Sequence, residues 1–322
     1  MTALARLGYA PFLLAAALAS YVLFPNHLAL ITQIFVLAMF ALSYDLLQGH
    51  GGIVSLGHAA FFGLGAYTAA ILARYGLTDP LLGALAALLV SGAVAFVLTP
   101  IVVRGNDLTR LLITLGVGFL LFEAANRARG LTGGADGLPD FSTSPVFGTF
   151  AFDFMGRTAF FYALAMLVLV YAFVWRVTTS PFGLALTGIR ENVRRMSSIG
   201  APVGRHLAVT YTLSGAVAGL AGAVLAQTSR FASLDMLGFD RSAEVMIVAT
   251  LGGTGHIHGV VIGAAAFGVV KDALSTVSPK YWHLGLGFVL MASVFLVRGG
   301  IAGGLSSLGQ WLRQWLASRT TK

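Results

Sequence analysis

The sequence predicts an all-α polytopic integral membrane protein of about eight to ten transmembrane helices, with glycine-rich broken or re-entrant segments. Two observations predict it. Of the 322 residues, 57% are hydrophobic and only 10% are charged, and the mean hydropathy is +0.85, whereas soluble domains average about 45–50% apolar and 25% charged. Apolar runs of about 20 residues also recur along the whole length. Each can cross a hydrocarbon core of about 30 Å as a helix whose backbone groups pair internally. The runs leave no stretch for a separate soluble domain, so residues 1–322 read as one transmembrane domain.

The first run, at about 7–24, follows Arg6 and carries Ala17-Leu18-Ala19, a pattern also found before signal cleavage sites. Because the next run starts at about 28, a retained first span is expected. Further runs fall at about 28–47, 53–73, 81–103, 108–126 and 158–175. Six crossings then put Arg6, Arg104 and Arg110 on the same side as a segment at 176–206 that holds five arginines against one acid, Glu191. The longest polar loop, 127–157, falls opposite and balances Arg127, Arg129 and Arg157 against Asp136, Asp140 and Asp153. Lysine and arginine gather on the cytoplasmic side, so the N-terminus and the arginine segment are expected there. Positive loops between spans also account for the net charge of +8 better than nucleic-acid binding does.

After the arginine segment come an apolar run at 207–228, a broken one at 241–275, and a last one at 283–299. For the tail with Arg313, Arg319 and Lys322 to be cytoplasmic, the broken stretch must enter and return. Leu251-Gly252-Gly253-Thr254-Gly255 supplies its break.

From Leu184 to Ile199 the periodicity predicts one surface helix. Ile189, Val193, Met196 and Ile199 share one face, and Arg190, Arg194 and Ser197 share another. Glu191 precedes Arg195 by four residues, and Gly200 and Pro202 stop the helix. Two roles fit it: an interfacial helix held by anionic headgroups, or an apolar ridge flanked by fixed charges that docks into a groove on a cytoplasmic partner.

Six glycines fall between Gly49 and Gly65, and Gly215 and Gly219 recur four apart. Small residues let helices approach closely in lipid. Alternatively, the chain breaks near Gly51-Gly52 and a helix starting near Ser55 aims free N–H groups into a pathway. Ionisable residues within or near spans are Asp45, His58, Glu123 and Glu244, with Lys271 and Asp272 near a span end. Such groups face protein or water rather than lipid. Glu244 and His58 are the pathway candidates, together with Gly51, Gly52, Ser55, Gly57, Gly252 and Gly253, whereas Asp45 and Glu123 sit near span ends within reach of headgroups.

No cofactor or metal site is expected. The chain has no cysteine, and His256-Ile257-His258 without a nearby carboxylate set makes a weak metal site. No serine–histidine–acid set or paired acids suggest a membrane hydrolase. A phosphate-binding P-loop needs a glycine-lysine step, but Lys271, Lys280 and Lys322 follow Val, Pro and Thr. Any ATP site therefore lies on another chain.

Four stretches carry a family resemblance. SPFGLALTGIRENVRRMSSIGAPVGRHLAVTYTLSGAVAGLAGAVLA at 180–226 resembles the cytoplasmic loop and following span of ABC-type permeases for branched-chain amino acids. GHGGIVSLGHAAFFGLGAYTAA at 49–70 is similar to their glycine-rich signature, and RGLTGGADGL at 129–138 to a loop typical of their M-type subunit. EVMIVATLGGTGHIHGVVIGA at 244–264 resembles a later segment of the same family. The resemblance implies that Ile189, Arg190, Glu191, Asn192, Arg194, Arg195 and Gly200 belong to the element that couples to the ATPase. It also implies cytoplasmic ATPase subunits, a second homologous permease, a periplasmic or extracellular binding protein, and an inner (plasma) membrane location. This chain departs from the family between the Arg-Glu-Asn and the glycine: it has Val193-Arg194-Arg195-Met196-Ser197-Ser198 where relatives usually carry small alanines and an acid.

Overall fold

The computed structural model describes residues 10–277 together with Gly285, Gly287 and Gly300. Arg6, the tail cations and, apart from two of those glycines, the run at 283–299 lie outside the described residues.

The apolar runs become helices within a few residues of their expected bounds. α1 spans Ala10–Leu23, and α2 spans Leu28–Asp45 and continues into a π turn at Leu46–His50. α3 (Ala59–Arg74), α4 (Pro80–Val102) and α5 (Asp107–Arg127) follow, then the short α6 (Arg129–Thr132) and α7 (Arg157–Thr178). Among the described residues, six helices are long and apolar enough to cross a membrane, and Pro11–Leu23 and Ala59–Arg74 are shorter apolar helices. Polar side chains set several starts. Asp79 accepts the N–H of Leu81 at 2.8 Å before Pro80, and Asn106 accepts that of Thr109 at 2.8 Å, each meeting free donors at a helix N-terminus.

The arginine segment departs from the single helix expected over 184–199. Two helices form instead, α8 (Pro181–Glu191) and α9 (Val193–Ser198), because Asn192 takes an extended conformation (φ −158°, ψ 96°) and its Oδ1 accepts the N–H of Arg195 at 2.9 Å. Asparagine competes well as a cap, and here the cap wins over helix continuity. The expected four-residue face is therefore split. Ile189 is buried, whereas Val193 and Ile199 are exposed.

α10 (Val203–Ser229) is the packing axis of the molecule, and after it come β2 (Phe231–Ala232), α11 (Phe239–Gly252) and α12 (Ile257–Val277). β2 pairs antiparallel with β1 (Leu138–Pro139), which ties the 127–157 loop to the far end of α10. α11 and α12 form the expected break at Gly253-Thr254-Gly255, with φ of +99° at Gly253 and +82° at Gly255. Arg241 at the start of α11 and Lys271 in the second half of α12 meet on one acid, so the two helices fold back on each other as a hairpin. With 14 residues, α11 is about 21 Å long, short of a full crossing of about 30 Å.

α3, α4 and α10 pack with little side chain between them. A Cβ on Gly215 would lie 2.6 Å from the Cβ of Ala95, and one on Gly222 would lie 2.7 Å from the carbonyl carbon of Phe62 and 3.2 Å from the nitrogen of Ala66. The small residues at Gly215 and Gly222 thus serve close packing. Gly222→Leu is expected to force α3 and α10 apart and cost about 1–3 kcal/mol, read as a lower unfolding temperature of the detergent-solubilised protein. Outward faces carry Leu82, Leu89, Phe96, Val97, Leu112 and Leu120, each more than half exposed. Apolar surface of this extent suits lipid rather than water.

Candidate coupling junction and polar cavity

Three chain segments converge at the end of α2. Asp45, its last residue, is fully buried, and its Oδ1 accepts the N–H of Gly255 at 2.7 Å. Its Oδ2 lies 3.7 Å from His50 Nδ1. The side chain of Arg190 reaches up from α8, and its Nη1 donates to the carbonyl of Gly49. A Cβ on Gly255 would lie 3.0 Å from the same Nη1, so Arg190 also abuts the α11–α12 break. The junction therefore joins the arginine segment, the glycine-rich break at 49–52 and the α11–α12 break around one buried acid.

Glycine is what allows the approach. A Cβ on Gly49 would sit 2.5 Å from the nitrogen of Gly255 and 2.7 Å from Asp45 Cγ. At Gly52, whose φ is +71°, it would sit 3.0 Å from Arg190 Cγ. The left-handed backbone at that position favours glycine independently of space.

This corrects the expectation for Asp45. Proximity to a span end suggested a headgroup contact, but the π turn carries the chain inward past it and Gly255 closes over it. Glu123 does behave as a span-end residue, pairing with Arg127 at 2.7 Å on the surface. The helix expected near Ser55 starts only at Ala59. Gly51 and Ser55 are buried in the irregular stretch before it, and Gly57 abuts α5, where a Cβ would lie 2.8 Å from the carbonyl carbon of Thr114.

His58 is fully buried, its Nε2 is 2.9 Å from Ser43 Oγ, and its ring stacks on Phe40. The structure seats it among packed side chains of the core. Of the arginine-segment residues, Ile189 anchors α8 in the core, and Arg190, Glu191, Arg194, Arg195 and Gly200 are all exposed, with Arg190 set apart by its hydrogen bond to Gly49. Glu191 and Arg195 lie on different helices, so their expected i,i+4 helix pairing does not arise. His258 Nδ1 lies 2.6 Å from Tyr171 Oη. Among the described residues, no group of three potential ligands could hold a metal ion.

Glu244 belongs to a second feature. It accepts from Arg241 Nη1 at 2.7 Å and from Lys271 Nζ at 2.6 Å. The three residues line a cavity of about 380 Å³ between α2, α10, α11 and α12. Ser229 and Phe231 form part of its wall, which puts it at the end of α10 opposite α8 and α9. Gly252 and Gly253 stand at the other end of α11, where a Cβ on Gly252 would lie 2.6 Å from Val260 Cα. The structure thus separates the expected pathway residues into a cavity end, with Glu244, and a junction end, with the glycines. No feature of the sequence singled out Asp235, which lines the cavity from a 3-10 turn at Leu234–Leu237.

Residues 26–294 match the profile of the family described as "Branched-chain amino acid transport system / permease component". The chain belongs to this family. A permease component is a transport subunit rather than an enzyme, and its apolar helices make this one a multi-pass membrane protein. Among its relatives is the high-affinity branched-chain amino acid transport system permease protein LivM of Salmonella typhimurium, 29% identical over 77% of this chain and 63% of the relative. This permease component thus spans less than two thirds of the length of that relative. LivH of the same organism is 25% identical over 81% of this chain and 88% of its own. The D-allose transport system permease protein AlsC of Escherichia coli is 28% identical, covering 83% of each chain. No solved structure matches.

Proposed function

We propose that the chain is the permease subunit of an ATP-driven ABC importer for branched-chain or related hydrophobic amino acids, forming half of the translocation pathway in a bacterial inner membrane. Its other half is a second, homologous permease. Cytoplasmic ATPases engage the exposed Glu191, Asn192, Arg194, Arg195 and Gly200, and an external binding protein delivers the cargo at the opposite face. Both termini are cytoplasmic in this reading.

The single observation that supports this mechanism is the reach of Arg190 from the arginine segment to Gly49, beside the buried Asp45 and Gly255. A push on α8 and α9 then has a direct route into the ends of α2 and α11. Alternating access follows when that push tilts the two helices and the pathway opens to one face at a time.

Reconstitution of the permease pair with its ATPases and binding protein in liposomes tests the proposal. Uptake of labelled L-leucine is expected to require both ATP and the binding protein. Uptake that survives ATP depletion and collapses with the proton gradient overturns it in favour of an ion-coupled secondary carrier. A cargo panel with urea, short amides and small organic acids decides among other importers of the same build.

A further inference from the structure

We infer that the loop at 141–155 anchors in the phospholipid leaflet at the end of the helices opposite α8 and α9, burying Phe147, Phe150, Phe154 and Met155 at the boundary of headgroups and acyl chains. The inference needs only a membrane-spanning chain, not the importer reading. Residues 141–152 read FSTSPVFGTFAF and carry no charge. At the tip, Phe147 has φ +53° and Gly148 has φ +72°, a pair of conformations usually given to Asn-Gly. A bulky residue with positive φ is an outlier, and here it displays an aromatic side chain on a residue that is 75% exposed. Phe150, Phe154 and Met155 are also more than half exposed.

The tip stands on a fixed base. Val146 is buried, and its N–H donates to the carbonyl of Phe150 at 2.8 Å. The N–H of Ser144 donates to the carbonyl of Thr78, in the turn between α3 and α4, at 2.9 Å. Phe152 meets Tyr162 of α7 edge-on at 5.8 Å, and Arg230 Nη2 donates to the Phe152 carbonyl at 3.2 Å. Position then decides the occupant. The loop runs directly into α7, which starts at Arg157, and a Cβ on Gly156 would lie 3.9 Å from Leu28 Cβ at the start of α2. Both helices are long and apolar enough to cross a membrane, so the loop leaves the protein at the depth where they enter hydrocarbon. Leu23 and Phe24 at the end of α1, and Tyr75 in the α3–α4 turn, are exposed at the same end. A turn in water favours Gly, Asn, Asp and Ser, whereas a segment that enters lipid must shed charge. Interfacial elements bury about 5–10 Å deep, and the exposed Arg157 and Arg230 at the base can reach phosphates.

The absence of cysteine makes single-site probes clean. Phe147→Cys, Phe154→Cys and, as an aqueous control, the exposed Ala135→Cys each receive an environment-sensitive nitrobenzoxadiazole label. The full chain, with any subunits that co-purify, is placed in nanodiscs of phosphatidylethanolamine and phosphatidylglycerol. Labels at 147 and 154 are expected to emit further to the blue than the label at 135 and to resist iodide. Phospholipid with a nitroxide near the top of its acyl chain should quench them more than one with a nitroxide near the chain end. Iodide quenching equal to that at 135 overturns the inference, because the loop then faces water. Resistance to iodide without nitroxide quenching also overturns it, because a protein surface then covers the loop. Aspartate tolerates positive φ, so Phe147→Asp keeps the turn while adding a charge. In that background the label at 154 should lose its nitroxide quenching, and unchanged quenching overturns the anchoring role of the tip.

Discussion

Arg190→Glu is expected to leave the ATPases bound and to stop L-leucine uptake. The substitution removes the donor that Gly49 accepts and sets a second carboxylate near Asp45. Losing a charge-assisted hydrogen bond costs about 1.5–3 kcal/mol, which is roughly a 10–100-fold fall in the population of the joined arrangement before repulsion is counted. Uptake should fall by at least that factor while hydrolysis continues, so the readout is cargo moved per ATP hydrolysed. Arg194→Glu with Arg195→Glu should do the opposite: both residues are exposed on α9, so pull-down of the ATPase should weaken and hydrolysis should fall with it. If Arg190→Glu instead loses the ATPase in pull-down, then Arg190 is a docking residue and the junction is not the link.

The distinction between those two arginine sets was not legible in the sequence, although both sit in one basic run. Helical periodicity put Arg190 and Arg194 on one face, and it would have been right had the helix continued. A single asparagine cap at 192 rotates everything after it, and propensity is too weak a guide to say when a cap will prevail. The spans were legible because hydrocarbon imposes a length and an apolar composition that few other contexts demand. The break at Gly253 was legible for a related reason: Gly-Gly-Thr-Gly cannot hold a helix in lipid without a structural purpose.

Asp45 was misread because sequence distance from a span end says nothing about what folds back over it. Its partner, Gly255, lies 210 positions away. Glu244 was identified because an acid inside an apolar run is costly unless paired, yet its partners came from opposite ends of a helix hairpin, and only the parity argument hinted that those ends meet.

Asp45→Ala should be as damaging as the arginine change, but by another route. The alanine removes the acceptor of the partly buried Gly255 N–H, and a donor orphaned in such a place costs about 1–3 kcal/mol where water does not reach it. It also leaves His50 without the carboxylate that lies 3.7 Å from its Nδ1. Both effects loosen the knee between α11 and α12, so the detergent-solubilised protein should unfold at a lower temperature and uptake should fall at least about tenfold. Asp45→Asn separates the two contributions. Its side-chain oxygen still accepts from Gly255, so stability should stay near the parent value, while the amide no longer offers His50 a carboxylate partner and cargo moved per ATP should fall. A stable, fully coupled Asp45→Asn protein would mean that the hydrogen bond alone holds the junction. Full coupling in Asp45→Ala would mean that the arginine segment drives the helices by some other contact, because neither the anion nor the acceptor would then be needed.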